Sequence, residues 1–153
     1  MQNDEYGLLL ARSATYCSLS EHCVLEVVRK LNAWGADSEQ IEKIIEHLIG
    51  EKYIDEQRFA NAYARDKLRF NHWGKIKIGM LLGQKGIDNE TINNALEDID
   101  ATEYETVLSD LLKSKQKTVK STSDYEKRAK LMRVACGKGF EFGDIERALK
   151  EIV

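Results

Sequence analysis

The sequence has no proline, only three cysteines, and no run of about 18 apolar residues. Each lack excludes something. Without proline there are no polyproline ligands or rigid proline linkers, and long helices can run without interruption. The cysteines Cys17, Cys23 and Cys136 are odd in number and form no Cys-x-x-Cys pair, which fits reduced thiols rather than a disulfide framework. Cys17, His22 and Cys23 are close in sequence but lack a fourth ligand at structural-metal spacing, so no metal is expected. No membrane span is expected, and no basic stretch followed by an apolar run opens the sequence, so a cytoplasmic protein is expected. Phosphate loops, dinucleotide fingerprints, nucleophile elbows and His-Glu-x-x-His are all missing, so neither an enzyme nor a cofactor is expected.

What is present suits one helical unit. At 153 residues, with 42% hydrophobic and 32% charged side chains, the chain can bury a core without staples. The net charge of −3 is a sum of opposed blocks. Residues 37–56 hold seven acids and two bases, and residues 58–85 hold seven bases against Asp66. Residues 88–110 hold eight acids and no base, and residues 113–133 hold eight bases against Asp124 and Glu126. Alternation with so long a period asks for a repeat.

Aligning Gly35, Gly86 and Gly139 reveals it. Isoleucine follows six residues later at Ile41, Ile92 and Ile145; then come Ile45, Leu96 and Leu149, and then Leu48, Ile99 and Ile152. The i, i+4, i+7 spacing puts each set on one helix face. Leu31, Leu82 and Ala135 precede the glycines by four, so each glycine is read as the C′ residue ending one helix shortly before the next. A further helix precedes each pair: about 5–17, about 56–70 capped by Asp55, and one opened by Thr102-x-x-Glu105. Ser18-x-x-Glu21 and Ser123-x-x-Glu126 are read as capping boxes for the helices that follow. The expected fold is all-α: three tandem three-helix repeats, at 1–52, 53–101 and 102–153, forming an elongated, curved array with a long binding face.

The middle repeat is the informative one. Arg58, Arg65 and Arg69 fall within about 40° of one another at 100° per residue, while Phe59, Tyr63 and Phe70 are expected to pack inward. With few acids nearby in sequence, the arginine forks are expected to be free for carboxylates or phosphates of a partner. Lys67 lies on the same helix, and Lys75, Lys77 and Lys85 follow on the next. These seven basic residues form the expected partner-binding set. No series of aromatics interleaves them along the sequence, so Trp34 and Trp73 are assigned to packing rather than base stacking. The three histidines are read as solvated surface residues, and the acids of 88–110 as capping and macrodipole residues. Gly79 and Gly83, inside a helix at about 1 kcal/mol each, are assigned to close helix packing or to the approach of a partner's backbone.

The same stretch carries a resemblance. The run Tyr53-Ile54-Asp55-Glu56-Gln57-Arg58-Phe59-Ala60, then Tyr63-Ala64-Arg65, Trp73-Gly74-Lys75-Ile76-Lys77-Ile78 and Leu82-Gly83-Gln84-Lys85-Gly86-Ile87, resembles the signature of the RecX family of bacterial recombination regulators. It departs from the common pattern at Lys75, where many members have proline, and at Leu81, where an acid often stands. The resemblance implies three tandem three-helix modules and a non-catalytic modulator of RecA. Such a protein lies in the groove of the RecA filament on single-stranded DNA and mostly inhibits ATP hydrolysis, strand exchange and co-protease activity. The implied partner is the RecA nucleoprotein filament, with direct contact to single- or double-stranded DNA as an alternative, no membrane, and a monomeric state. A generic helical-repeat adaptor is the remaining alternative.

Overall fold

The computed structural model describes residues 2–153, which form nine helices and no strand among the described residues. In order they are α1 (Gln2–Leu19), α2 (Val24–Ala33), α3 (Ser38–Gly50), α4 (Glu56–Asn71), α5 (Lys75–Gln84), α6 (Asn89–Glu97), α7 (Ala101–Gln116), α8 (Asp124–Gly137) and α9 (Phe142–Lys150). They pack as three successive triplets, and α4 also touches α7. The all-helical tandem arrangement read from the repeat is therefore what the chain adopts.

Local chemistry sets the helix ends. Gly35, Gly86 and Gly139 have φ of +85°, +80° and +92°, the left-handed C′ conformation that lets the chain leave α2, α5 and α8. Asp55, Asp88, Asp100 and Ser123 cap α4, α6, α7 and α8, each accepting the N–H three residues on. Two expected boxes are corrected. Ser18 still lies inside α1, where its hydroxyl donates to the Thr15 carbonyl; the N-cap of α2 is instead Cys23, whose N–H donates to Glu26. In α7 the cap is Asp100 rather than Thr102, because an aspartate two residues earlier reaches the free N–H of Glu103 first.

Equivalent positions of the repeat share a fate. Val27, Ile78 and Leu131, and Leu31, Leu82 and Ala135, are all fully buried. Each buried leucine contributes roughly 2 kcal/mol of hydrophobic free energy. The cores, however, are not three. Residues of the second and third triplets, from Phe59 to Leu149, form one continuous apolar cluster that also takes in Cys23, whereas the first triplet keeps its own around Val27, Leu31, Ile44 and Leu48, closed by Ile54.

The triplets join on one plan. The N-terminal end of α2 meets the C-terminal end of α5, and the N-terminal end of α5 meets the C-terminal end of α8. At the first joint the Cys23 thiol points to the Lys85 carbonyl at 3.8 Å, and the Val24 N–H donates to Glu56 of α4 at 3.2 Å. At the second joint the Gly74 N–H donates to the Lys138 carbonyl at 2.8 Å and the Ile76 N–H to Gly139 at 3.0 Å. There the Lys75 N–H donates to the Tyr104 hydroxyl of α7 at 2.9 Å. The second helices thus run head to tail, and the first N–H of α2 and of α5 is taken by a side chain from the following triplet, which suits the helix dipole.

Candidate functional site

The seven basic residues of the expected set lie on α4, α5 and the cap of α5, and the structure separates them by chemistry. The arginines are not free. Arg58 Nε lies 2.5 Å from Glu21 and its Nη2 bonds the carbonyls of Lys52 and Tyr53. Arg65 reaches Asp98 at 3.4 Å, and Arg69 grips both oxygens of Glu103, at 2.5 and 3.1 Å. The expectation of unpaired forks fails because the acids come from elsewhere in the chain: the turn before α2, the end of α6 and the start of α7. Hydrogen bonding to Glu21 raises the pKa of Arg58, and bonding to Glu103 that of Arg69, while Arg69 lowers Glu103. Of the acids between 88 and 110, Asp88 and Asp100 cap helices as expected; Asp98 and Glu103 also serve as these counter-ions.

The lysines are held differently. Lys67 and Lys77 lie against the Trp73 ring at 5.2 and 4.6 Å, Lys67 and Lys85 against Tyr63 at 5.3 and 5.9 Å, and Lys75 over Tyr104 at 5.0 Å. Lysine and aromatic residues therefore do alternate in space, as Lys85, Tyr63, Lys67, Trp73, Lys77, although no such alternation is visible along the sequence. The antiparallel return of α5 beside α4 interleaves residues from two separate stretches. Cation–π attraction of this kind contributes about 0.5–1 kcal/mol at exposed sites. Among the described residues, Lys85 is the one lysine of the set that also has a carboxylate, Glu26 at 3.0 Å, which raises its pKa.

Geometry divides the set on α4 itself. Lys67 is turned about 180° from Arg58 at 100° per residue, so the arginine row and the lysine–aromatic row occupy different sides of the helix. Phe70, expected to pack inward, is 76% exposed. It stands in the last turn, at the rim of the arc whose centre is Ala60, Ala64 and Leu68. Phe59 is buried and Tyr63 half-buried, as the periodicity predicts. Trp34 and Trp73 pack against the two cores, Trp34 also beneath the Arg12 guanidinium at 4.2 Å.

A groove of about 590 Å³ opens beside the lysine row where the first and second triplets meet, lined by Glu21, His22, Glu26, Tyr63, Lys67 and Lys85 among others. His22, expected to be solvated, is instead half-buried there. It stacks on Tyr16 with ring centroids 3.8 Å apart and bonds Glu26 and Ser20, each at 3.0 Å. Burial raises the Glu26 carboxyl, but its bonds with Lys85, His22 and the Cys23 N–H prevail and leave it below its ordinary value. Glu56, with burial as the leading influence, is shifted upward despite the bond from Val24. No helix among the described residues is long and apolar enough to cross a membrane.

The arrangement has known counterparts. Residues 55–96 match the family model of the RecX second three-helix domain, and residues 103–149 that of the RecX third three-helix domain. The chain belongs to the RecX family. The first of these matches contains the whole basic set, and the two together cover the triplets that share a core. The chain is 30% identical over 142 residues to the regulatory protein RecX of Herbaspirillum seropedicae, covering 93% of this chain and 89% of that one. It is 29% identical over 130 residues to RecX of Clostridium botulinum strain Eklund 17B, covering 84% of this chain and 60% of the other, so it spans about three fifths of that relative's length. The crystal structure of RecX from Lactobacillus salivarius has the same fold, with a TM-score of 0.88 at 23% identity over 98% of this chain and 97% of that one.

Proposed function

We propose that the chain is a non-catalytic, cytoplasmic regulator that binds the filament formed by RecA on single-stranded DNA and restrains its ATPase, strand-exchange and co-protease activities. Family membership supports this reading, since RecX relatives are regulatory proteins by name. The observation that carries it for this chain is the middle triplet. That unit matches the RecX second domain and concentrates Arg58, Arg65, Lys67, Arg69, Lys75, Lys77 and Lys85 on α4, α5 and the cap of α5. Alternating acidic and basic blocks along a tandem array favour a partner that is itself a repeating, charged assembly. Such blocks set register and encounter rate, and several modest contacts add through effective concentration. In this reading the units 1–52, 53–101 and 102–153 act as successive contact modules of one monomer.

Binding to RecA-coated and to bare single strands at two salt concentrations, with RecA ATPase as the readout, tests the proposal. Inhibition of the coated-strand ATPase by the chain is expected. A folded chain that neither binds the coated strand nor alters the ATPase would falsify it.

A further inference from the structure

The packing of α5 on α6 requires neither of the two glycines inside α5. A Cβ on Gly79 would rest in ordinary contact with Ile92 and Leu96, and one on Gly83 would come no nearer than 4.0 Å to Ile92. Each glycine nevertheless costs about 1 kcal/mol in a helix interior. In the repeat, the position of Gly79 is held by Val28 in the first triplet and by Met132 in the third, and both of those side chains are half-buried. The middle triplet leaves the same seam without a side chain.

A groove of about 480 Å³ opens there. Ile76, Gly79, Met80 and Gly83 follow one another at i, i+3, i+4 and i+7, the spacing of a helix-packing seam about two turns long. The seam is uncovered: Ile76 and Met80 are 57% and 56% exposed, and Ile92 and Leu96 of α6 line the groove beside them. Lys77 is turned about 100° from Ile76 and lies over Trp73, so the groove and the lysine–aromatic row occupy different sides of α5.

One end of the groove is acidic. Gly79 faces Leu96 and Gly83 faces Ile92, so α6 runs antiparallel to α5 and brings Glu97 to the N-terminal end of α5. The bond from the Ile76 N–H to the Gly139 carbonyl brings Glu141 to that same end. Neither carboxylate forms an ion pair among the described residues. Lys75, the base that shares the lining, is turned onto the Tyr104 ring at 5.0 Å. A phosphate backbone or an anionic lipid surface would be repelled by these acids, whereas an ammonium or guanidinium group beside an apolar surface complements them.

We propose that the α5–α6 groove docks an amphipathic, basic helix of a partner protein. Its apolar side chains lie along Ile76, Met80, Ile92 and Leu96, and a lysine or arginine stands beside Glu97 and Glu141. A helix suits the site because the missing side chains at Gly79 and Gly83 let a second helix axis come close along the whole seam. The glycines are then kept for the partner's approach at a cost to the stability of the chain alone. This surface goes beyond the proposed function and involves no nucleic acid.

The test uses the full chain labelled at its methionine methyl groups, with Met80 reporting on the groove and Met132 of α8 as the control. The probe is a synthetic helical peptide of about 14 residues, leucine on one face and lysine on the other. In NMR titrations it should shift the Met80 signal to saturation and leave Met132 in place. The same helix with glutamate for lysine should bind at least about tenfold more weakly. Gly79→Leu, which fills the seam, should weaken the lysine peptide at least about tenfold. Glu97→Gln combined with Glu141→Gln should weaken it about three- to fivefold and reduce its salt dependence. If Gly79→Leu does not fold, Gly79→Ala should shift affinity in the same direction while raising the urea midpoint. The inference is overturned if Met80 ignores the lysine peptide, if the glutamate helix binds as tightly, or if the Gly79 variants bind like the parent. A Met80 signal that moves with chain concentration alone would overturn it in favour of a second copy of this chain.

Discussion

Gly74 and Gly139 meet backbone against backbone. A Cβ on Gly74 would overlap the Gly139 carbonyl, and one on Gly139 would overlap the backbone and Cβ of Lys77. Gly139 also has the left-handed φ of +92°. The Gly139→Ala variant should therefore lose about 2–4 kcal/mol in urea unfolding. Gly35 shares the conformation but has open space around it, so Gly35→Ala should cost only the backbone preference, about 1–2 kcal/mol. Equal losses in the two variants would show that the close approach contributes nothing.

Gly79 behaves oppositely. A methyl group there would rest in ordinary contact, 3.5 Å from Ile92 and Leu96, so packing does not demand glycine in the middle of α5. Gly79→Ala should stabilise the fold by about 0.5–1 kcal/mol, seen as a higher urea midpoint at unchanged slope. A lower midpoint would mean that the α5–α6 contact cannot accept the methyl.

Tyr104 links the second joint to pH. Burial is the main cause that pushes its phenol from 10.0 to about 12, against the bond from the Lys75 N–H. The neutral form is favoured in the folded chain, so stability is full below pH 10 and is lost as pH rises toward 12, by up to about 3 kcal/mol. Unfolding titrations should show Tyr104→Phe to be less stable at neutral pH, by about 1 kcal/mol, yet to lose less than the parent across that alkaline range. Parallel curves would remove Tyr104 as the cause.

Glu26 links the first joint to acid and salt. Its lowered pKa means that the stabilisation is present above the ordinary carboxyl range and is lost as pH falls through the folded value. Glu26→Gln should speed hydrogen exchange at the N-terminal amides of α2, and high salt should do the same to the parent, because Glu26–Lys85 is a partly exposed pair. Amides of α7 and α8 should be unaffected. Uniform acceleration along the chain would mean that the first triplet has no separate joint.

Periodicity and glycine spacing made the nine helices and their buried faces legible, because Val27, Ile78 and Leu131 answer to local rules that repeat. The caps were read less well where two candidates competed, as at Asp100 and Thr102. The site was legible as a set of residues but not as an arrangement. Glu21, Asp98 and Glu103 lie more than thirty residues from the arginines they neutralise, and nothing in the intervening sequence specifies the pairing. The bond of Lys138 to the Asn71 carbonyl could not be read from its own segment either, since only the contact of Gly139 with α5 brings the two together. The equivalence of Gly86 and Gly139 in the repeat was the available clue: the turn ending α5 lies at the first joint, so the turn ending α8 should lie likewise at the second.

The unequal division of the cores sets an order for synthesis. A chain leaving the ribosome has every residue of its first core once Ile54 has emerged, so that triplet can close early and shelter its leucines from aggregation. The remaining core, running from Phe59 to Leu149, is incomplete until Leu149 has been made. Translation should therefore yield one early folding event and one late one, rather than three evenly spaced.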